Sequence, residues 1–201
     1  MKVKVCGITN VDDALAAIEL GAEALGFVFA PSPRQVAIQD ALRIVKELPP
    51  FVSKVGIFVD EDLDIIRDSI SLCGLDLVQL HGSESSELCR ELSPRVIKAF
   101  RVKDDSVLNS LTNYKVVAYL LDAYSPERQG GTGQVFDWGI AKKAVPYGRI
   151  ILSGGLTPEN VQLAIKTVGP YAVDVSSGVE SEPGKKDHVK LRAFLEAARN
   201  A

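Results

Sequence analysis

Two turns made of small residues follow the last two apolar segments of the chain, Ile150–Leu152 and Ala172–Val175. Residues without a bulky side chain allow backbone N–H groups to approach an anion, and a helix that starts beside such a turn adds a favourable dipole. A single turn of this kind is more often an ordinary tight turn. Two of them, at the ends of consecutive parallel strands, predict one shared phosphate site. The residues predicted to hold the phosphate are Gly154, Gly155, Ser177 and Gly178.

Reactive side chains also follow earlier apolar segments. Taken alone, each of these residue types more often has a structural role than a catalytic one. A cysteine packs as a small hydrophobe, aspartate and histidine hydrogen-bond to nearby polar groups, and arginine lies in solvent. In an eight-stranded βα barrel, however, the catalytic groups lie at the C-terminal ends of the strands. Cys73 and Cys89 fall on predicted helices and are expected to be buried and inert. The residues that the strand-end rule selects are Cys6, Arg34, His81, Arg101 and Asp122.

A regular alternation of strand and helix patterns would position these residues. Strands alternating with helices predict an α/β protein with a parallel sheet. The number of units favours a single small closed (β/α)₈ barrel, a TIM barrel, spanning 1–201 as one domain; an open sheet of seven or eight strands is the alternative. The predicted strands are Val3–Cys6, Ala24–Phe29, Lys54–Val59, Leu75–Leu80, Val96–Phe100, Val116–Leu121, Ile150–Leu152 and Ala172–Val175.

Capping residues indicate where the helices begin. Thr9 or Asn10 can cap the first helix, and Ser83 is predicted to cap the fourth. Thr157, followed by Pro158 at the first helical position, predicts the start of the helix between the last two strands.

Two segments carry weaker signals. Val102–Tyr114 fits either a short helix or an extended loop, so the helix after the fifth strand is weak or missing. Ala123–Val135 is the longest irregular segment and contains Gly130–Gly133, which fits either a flexible connector or a lid beside the site.

Composition excludes several classes of protein. The chain has 201 residues, 46% of them hydrophobic, and 23 basic against 26 acidic residues give a net charge of −3. Without a basic block, a nucleic-acid surface is not expected, and an anion site must be local. Three cysteines without CxxC spacing argue against disulfides and a metal site. No signal peptide or membrane span is apparent, so we expect a soluble cytoplasmic protein.

Six segments, in order along essentially the whole chain, closely resemble the phosphoribosylanthranilate isomerase family of tryptophan biosynthesis. They are KVKVCGIT, LGFVFAPSPR, VQLHG, LLDAY with GGTG, SGGLTPENV and DVSSGVE. The resemblance implies a (β/α)₈ barrel and an Amadori rearrangement without a cofactor or metal. N-(5-phosphoribosyl)anthranilate would become 1-(2-carboxyphenylamino)-1-deoxyribulose 5-phosphate, which is an aldose–ketose isomerisation.

The resemblance also implies roles for individual residues. The general base of the family falls on Cys6, the general acid on Asp122, and the arginine that meets the anthranilate carboxylate on Arg34. The phosphate turns fall on the two pairs of small residues described above, and His81 is predicted to bind substrate. The chemistry suits these types, since opening the sugar ring needs a protonated acid and removing the C2′ proton needs a thiolate near positive charge.

Two other functions are compatible with parts of this pattern. The related aldose–ketose isomerase of histidine biosynthesis also binds phosphate, but an acidic residue would be expected in place of Cys6. A non-catalytic phosphosugar-binding barrel is the other, although both the acid and the base positions hold competent residues. The predicted partner is a small phosphosugar substrate, with no nucleic acid and no membrane, and the protein is expected to be a monomer or a homodimer.

Overall fold

The computed structural model describes residues 1–123 and 137–201. The strands of the main sheet pair in parallel in chain order, and β1 also pairs with β8, which closes the barrel. The closed (β/α)₈ barrel is therefore confirmed and the open sheet is wrong. The strands are β1 Lys2–Cys6, β2 Ala24–Val28, β3 Ser53–Phe58, β4 Leu77–Leu80, β5 Val96–Val102, β6 Ala118–Ala123, β7 Ile150–Leu152 and β8 Ala172–Val175.

Helices follow the strands on the outside of the barrel. The weakly patterned segment after β5 contains a helix of five residues, so the short helix is confirmed over the extended loop. Two 3₁₀ turns occupy Val145–Tyr147 and Ser177–Val179. The helices are α1 Val11–Glu19, α2 Ile38–Lys46, α3 Leu63–Cys73, α4 Ser86–Glu91, α5 Val107–Leu111, α6 Trp138–Ala144, α7 Val161–Val168 and α8 His188–Arg199.

The helix starts confirm Asn10 as a predicted cap and correct the cap of the fourth helix. Asn10 caps α1, since its side chain accepts a hydrogen bond from the Asp13 N–H. Ser85, not Ser83, caps α4, since the Ser85 hydroxyl oxygen accepts a hydrogen bond from the Leu88 N–H at 3.2 Å.

The cap predicted for α7 is also wrong. The Thr157 N–H donates to Asn160 Oδ1 at 2.8 Å, and a turn over 158–160 delays the helix until Val161. The first residue of α7 therefore lies six positions beyond Gly155.

Alternation along the strands decides which side chains reach the inside of the barrel. Successive apolar residues of a strand therefore belong to two separate clusters. A large cluster lies between the strands and the helices, and a small cluster lies inside the barrel. Residues of the inner cluster on β5 and β6, such as Ala99 and Leu120, lie two positions before Arg101 and Asp122. The inner apolar layer thus forms a floor, and polar residues stand above it at the C-terminal ends of the strands.

A small antiparallel hairpin follows β8, and the sequence analysis did not predict it. It consists of β9 Glu180–Glu182 and β10 Lys185–Lys186, joined by a turn at Gly184 with φ 84°. The hairpin lies against the loop after β1, where the Thr9 hydroxyl donates to the Gly184 carbonyl. The predicted connector or lid at Gly130–Gly133 lies outside the described residues.

Candidate active site

One cavity at the C-terminal ends of the strands is lined by every residue that the sequence analysis selected. Side chains from β1, β4 and β6 meet there with the loops after β2, β7 and β8. The selected residues along its wall are Cys6, Arg34, His81, Arg101, Asp122, Gly154, Gly155, Ser177 and Gly178.

Other polar residues of this wall were missed from sequence. Gln79 stands two positions before His81 on β4, and Asp174 occupies the equivalent inward position on β8. Ser176 follows in the loop after β8. A polar residue inside an otherwise apolar strand, with the same alternation as a selected residue, was the signal that could have found the first two.

Cys6 is almost fully buried at the end of β1, above a buried ion pair. Lys4, two residues earlier on the same inward face, donates to Asp174 Oδ1 at 2.8 Å. Burial raises the pKa of the Cys6 thiol above its ordinary value, while the positive charges of Lys4 and Lys186 oppose that rise. The positive charge expected near Cys6 is therefore present, but burial outweighs it in the free protein.

Asp122 stands at the end of β6 beside His81. Its Oδ1 accepts a hydrogen bond from the Ala123 N–H at 2.9 Å, and its Oδ2 lies 3.4 Å from His81 Nε2. Gln79 Nε2 lies 3.1 Å from His81 Nδ1. Because the amide nitrogen can only donate, this contact assigns the proton of a neutral His81 to Nε2, which faces Asp122.

Three buried polar atoms at the cavity have no hydrogen-bond partner within 1–123 and 137–201. They are Gln79 Oε1, His81 Nε2 and Ser176 Oγ. The 3.4 Å approach of His81 to Asp122 is a close electrostatic contact rather than a hydrogen bond. Buried polar atoms are rarely left unpaired in proteins, so these three are available to a ligand.

Arg34 reaches the cavity from the loop after β2, and Glu180 holds it. Arg34 Nε donates to Glu180 Oε1 at 2.8 Å, and Nη2 donates to Oε2 at 2.6 Å. The hydrogen bonds that Arg34 donates to Glu180 raise the pKa of Arg34, so its positive charge is secure.

The two phosphate turns are packed against each other. Gly154 and Gly155 both have left-handed backbones, with φ 83° and 68°. A side chain at Gly178 would collide with the backbone carbonyl of Leu156 in the other turn. Glycine at 178 is therefore needed for packing of the two turns.

Asn160 fixes the shape of the first turn. Its amide nitrogen donates to the Gly155 carbonyl at 2.9 Å, and its oxygen accepts from the Thr157 N–H at 2.8 Å. The second turn enters the short 3₁₀ turn at Ser177, whose first N–H groups point out of the turn. Backbone N–H groups are therefore the donors that the second turn can offer a ligand.

Two features are absent from the part of the chain that the structure describes. Its helices include none that is long and apolar enough to cross a membrane. Its His, Cys, Asp and Glu side chains form no group of three that could hold a metal ion.

A buried thiol and a carboxylate share one cavity with an arginine and a pair of small-residue turns. Together with the closed barrel, this arrangement defines the class: a (β/α)₈ barrel enzyme equipped for acid–base chemistry on a small anionic substrate.

Comparison with known proteins gives the particular family. Residues 3–197 match the family model described as N-(5'phosphoribosyl)anthranilate (PRA) isomerase. A relative of that name from Geobacter sp. (strain M21) is 57% identical over 199 residues, 98% of each chain. The chain belongs to the N-(5'-phosphoribosyl)anthranilate isomerase family.

Solved structures agree with this assignment. The phosphoribosyl anthranilate isomerase from Thermotoga maritima superposes with a TM-score of 0.91 at 47% identity, over 100% of both chains. A second structure of such an isomerase, in complex with reduced 1-(o-carboxyphenylamino)-1-deoxyribulose 5-phosphate, gives a TM-score of 0.88 at 45% identity over 100% of both chains.

Proposed function

We propose that this protein catalyses the rearrangement of N-(5′-phosphoribosyl)anthranilate to 1-(2-carboxyphenylamino)-1-deoxyribulose 5-phosphate in tryptophan biosynthesis. Its family membership supports the reaction. The single structural observation that carries the proposal is the cavity, where Cys6 and Asp122 stand beside Arg34 and the two small-residue turns. Position 6 is a cysteine, whereas the isomerase of histidine biosynthesis would be expected to carry an acidic residue there.

Asp122 is the proposed general acid. Its carboxylic acid gives a proton to the ring oxygen as the C1′–O bond breaks, and the anthranilate nitrogen supplies the electron pair that forms the C1′=N bond. Asp122 lies at the rigid end of β6, with one oxygen fixed by the Ala123 N–H and the other near His81. The carboxyl group is thus held in place by neighbours that are already in position.

Cys6 is the proposed general base. As thiolate it removes the C2′ proton, and the electron pair moves toward the nitrogen to give an enolamine. A proton then moves from the enol oxygen to C1′ overall, which leaves the ketone. Lys4 and Lys186 stabilise the thiolate form against the burial that disfavours it.

The two charged ends of the substrate fix its place in the cavity. The phosphate binds backbone N–H groups of Gly154, Gly155, Ser177 and Gly178, and the anthranilate carboxylate binds Arg34. His81, Gln79 and Ser176 contribute the unpaired atoms that ribose hydroxyls need.

The test is conversion of freshly made phosphoribosylanthranilate by the purified protein. We expect its fluorescence to fall with enzyme, and the product to be the aminodeoxyribulose phosphate by NMR. Substrate deuterated at C2′ should react more slowly and release its label to solvent. No conversion above the spontaneous rate, by protein with a normal circular dichroism spectrum, would rule the function out.

Three broader properties go with this function. We propose that 1–201 act as one domain in the cytoplasm, where the three free and buried thiols suit a reducing compartment. Sedimentation velocity would decide the predicted monomer or homodimer, as one or two copies of the 21.7 kDa chain.

A further inference from the structure

We propose that Glu180 is a positioning residue that holds one edge of the Arg34 guanidinium, so that the opposite edge selects substrates with an aryl carboxylate. The inference rests on the proposed function, because it assumes that Arg34 receives that carboxylate. Glu180 lies in the β9 hairpin strand that the sequence analysis did not predict. Arg34 lines the cavity, whereas Glu180 is not among the residues along its wall, so Glu180 would act through Arg34.

Glu180 has the contacts expected of a fixed anchor. It is only 7% exposed, yet its carboxylate accepts from Nε and Nη2 of Arg34 and from Lys186 Nζ at 2.8 Å. Burial raises the pKa of Glu180, but the hydrogen bond from Arg34 and the charge of Lys186 outweigh it, so the pKa is lowered overall. The carboxylate is therefore charged at neutral pH.

The geometry leaves one edge of Arg34 for a ligand. A guanidinium has two edges that can each grip a carboxylate with two parallel hydrogen bonds. Glu180 occupies the Nε–Nη2 edge, and within the described residues no contact uses Nη1. With one edge fixed, the planar group cannot rotate, and less conformational freedom is lost when a substrate carboxylate binds the other edge.

Glu180 also ties Arg34 to the strand that carries the base. Lys186 Nζ bridges Glu180 Oε1 and the backbone carbonyl of Cys6, at 2.8 and 2.7 Å. The stem of Arg34 covers the next residue, since a side chain at Gly7 would lie 2.6 Å from Arg34 Cδ. Glu180 thus fixes the position of Arg34, which is proposed to bind the substrate carboxylate, relative to Cys6, the proposed base.

The positive charge of Arg34 remains available to substrate. Arg34 keeps an unoccupied guanidinium edge beside the cavity, and its charge is secure because the hydrogen bonds that it donates to Glu180 raise its pKa. A substrate carboxylate would pair with this positive group. A neutral aniline ring would not, so the site should bind a substrate with the aryl carboxylate more tightly than one without it.

The experiment compares two stable ligands. One is reduced 1-(o-carboxyphenylamino)-1-deoxyribulose 5-phosphate, and the other is the same reduced compound made from aniline, without the carboxylate. Dissociation constants are measured by calorimetry for wild type, Glu180→Gln, Glu180→Asp and Arg34→Ala. The matched control is Glu84→Gln, because Glu84 is another buried carboxylate, paired with Lys98 at 2.8 Å in the loop after β4.

We expect Glu180→Gln to raise the dissociation constant of the carboxylate ligand by about tenfold, which is the worth of one charge-assisted hydrogen bond. The dissociation constant of the aniline ligand should rise by less than about threefold. Glu180→Asp, which keeps the charge, should recover part of the loss. Glu84→Gln should change the dissociation constants of both ligands by the same factor. If Glu180→Gln leaves Lys186 unpaired and the protein unfolds, the Glu180→Ala/Lys186→Met double variant removes both charges and should show the same selective loss.

Two results would overturn the proposal. If Glu180→Gln weakens the binding of both ligands equally, Glu180 has only a structural role. If Glu180→Gln binds the carboxylate ligand more tightly, Glu180 competes with the substrate for Arg34. Arg34→Ala separates this proposal from the function itself. If that variant loses the preference for the carboxylate ligand while the Glu180 variants keep it, only the positioning role fails; if Arg34→Ala keeps the preference, the assigned role of Arg34 fails.

Discussion

Gly154→Ala should damage both stability and catalysis, because this glycine lies directly behind the proposed acid. Gly154 has φ 83°, a conformation that costs a residue with a side chain about 1–2 kcal/mol. Its Cβ would also lie 2.9 Å from Asp122 Oδ1 and 2.8 Å from Ala123 Cβ, and would collide with the Ala123 backbone nitrogen. Overpacking of this kind costs roughly 1–3 kcal/mol.

The summed penalty is about 2–5 kcal/mol, which lowers the Tm of a chain of this size by roughly 5–20 °C. Relief of the collision must move the end of β6, so Asp122 leaves its productive position. A misplacement approaching 1 Å costs up to about 10²-fold in rate. We therefore expect kcat to fall by roughly 10–100-fold, while a Gly154→Ala protein remains folded at 25 °C.

Gly169→Ala is the matched control, because it separates backbone strain from collision. Gly169 ends α7 with φ 64°, and a side chain there would meet nothing within 4 Å. Only the conformational cost of about 1–2 kcal/mol should appear, with kcat unchanged. Thermal unfolding and steady-state kinetics of both variants provide the comparison. If Gly154→Ala loses no more stability than Gly169→Ala and keeps its kcat, the packing of the first turn against Asp122 is wrong.

Three further perturbations address other parts of the site. Arg34→Ala should lower kcat/KM by an amount equivalent to about 2–4 kcal/mol of transition-state stabilisation, the worth of a charge-assisted bidentate contact. If the losses from Arg34→Ala and from a substrate without the carboxylate are fully additive, this role of Arg34 is contradicted. Asn160→Ala releases both ends of the first phosphate turn and should raise KM several-fold with kcat almost unchanged, so a selective loss of kcat would argue against that turn as a binding element. Because burial raises the pKa of the Cys6 thiol, the thiolate absorbance that Cys6→Ala removes from the free protein should still be rising at the ordinary thiol pKa, and a Cys6 titration complete below that pH would exclude a raised pKa.

The barrel was predictable because its signals are local. Each strand is an apolar run, and each helix has a period that repeats within one element, so β7 and β8 were placed with their observed bounds. The strand-end rule then collected Cys6, His81 and Asp122 without any knowledge of contacts. Helix caps were less predictable where neighbouring residues compete. Thr157 and Asn160 are both capping types, but the turn over 158–160 places the start of α7 after Asn160, whose side chain bonds back to the Thr157 N–H rather than to the helix.

The network around Arg34 was not predictable from the pattern. Arg34 and Glu180 are 146 positions apart, and no periodicity links them. Pro183-Gly184 is a turn signal that could have indicated the hairpin, but not which loop it contacts. Lys4 is likewise a buried cation inside a strand, and only closure of β1 onto β8 brings it to Asp174. Long-range charge pairing depends on the closed fold, which local sequence does not encode.

The most direct test of the central claim is the rate of the chemical step in Cys6→Ala and Asp122→Asn, followed by the fluorescence of freshly made phosphoribosylanthranilate. Both residues stand above the apolar floor of the barrel, so the variants should remain folded. Each should lose about 10²–10⁴-fold in kcat, the usual worth of a positioned base or acid. Affinity for the reduced product analogue should change by less than about tenfold, since the phosphate turns and Arg34 are intact. A Cys6→Ala or Asp122→Asn enzyme with near-normal kcat would contradict the assignment of base and acid.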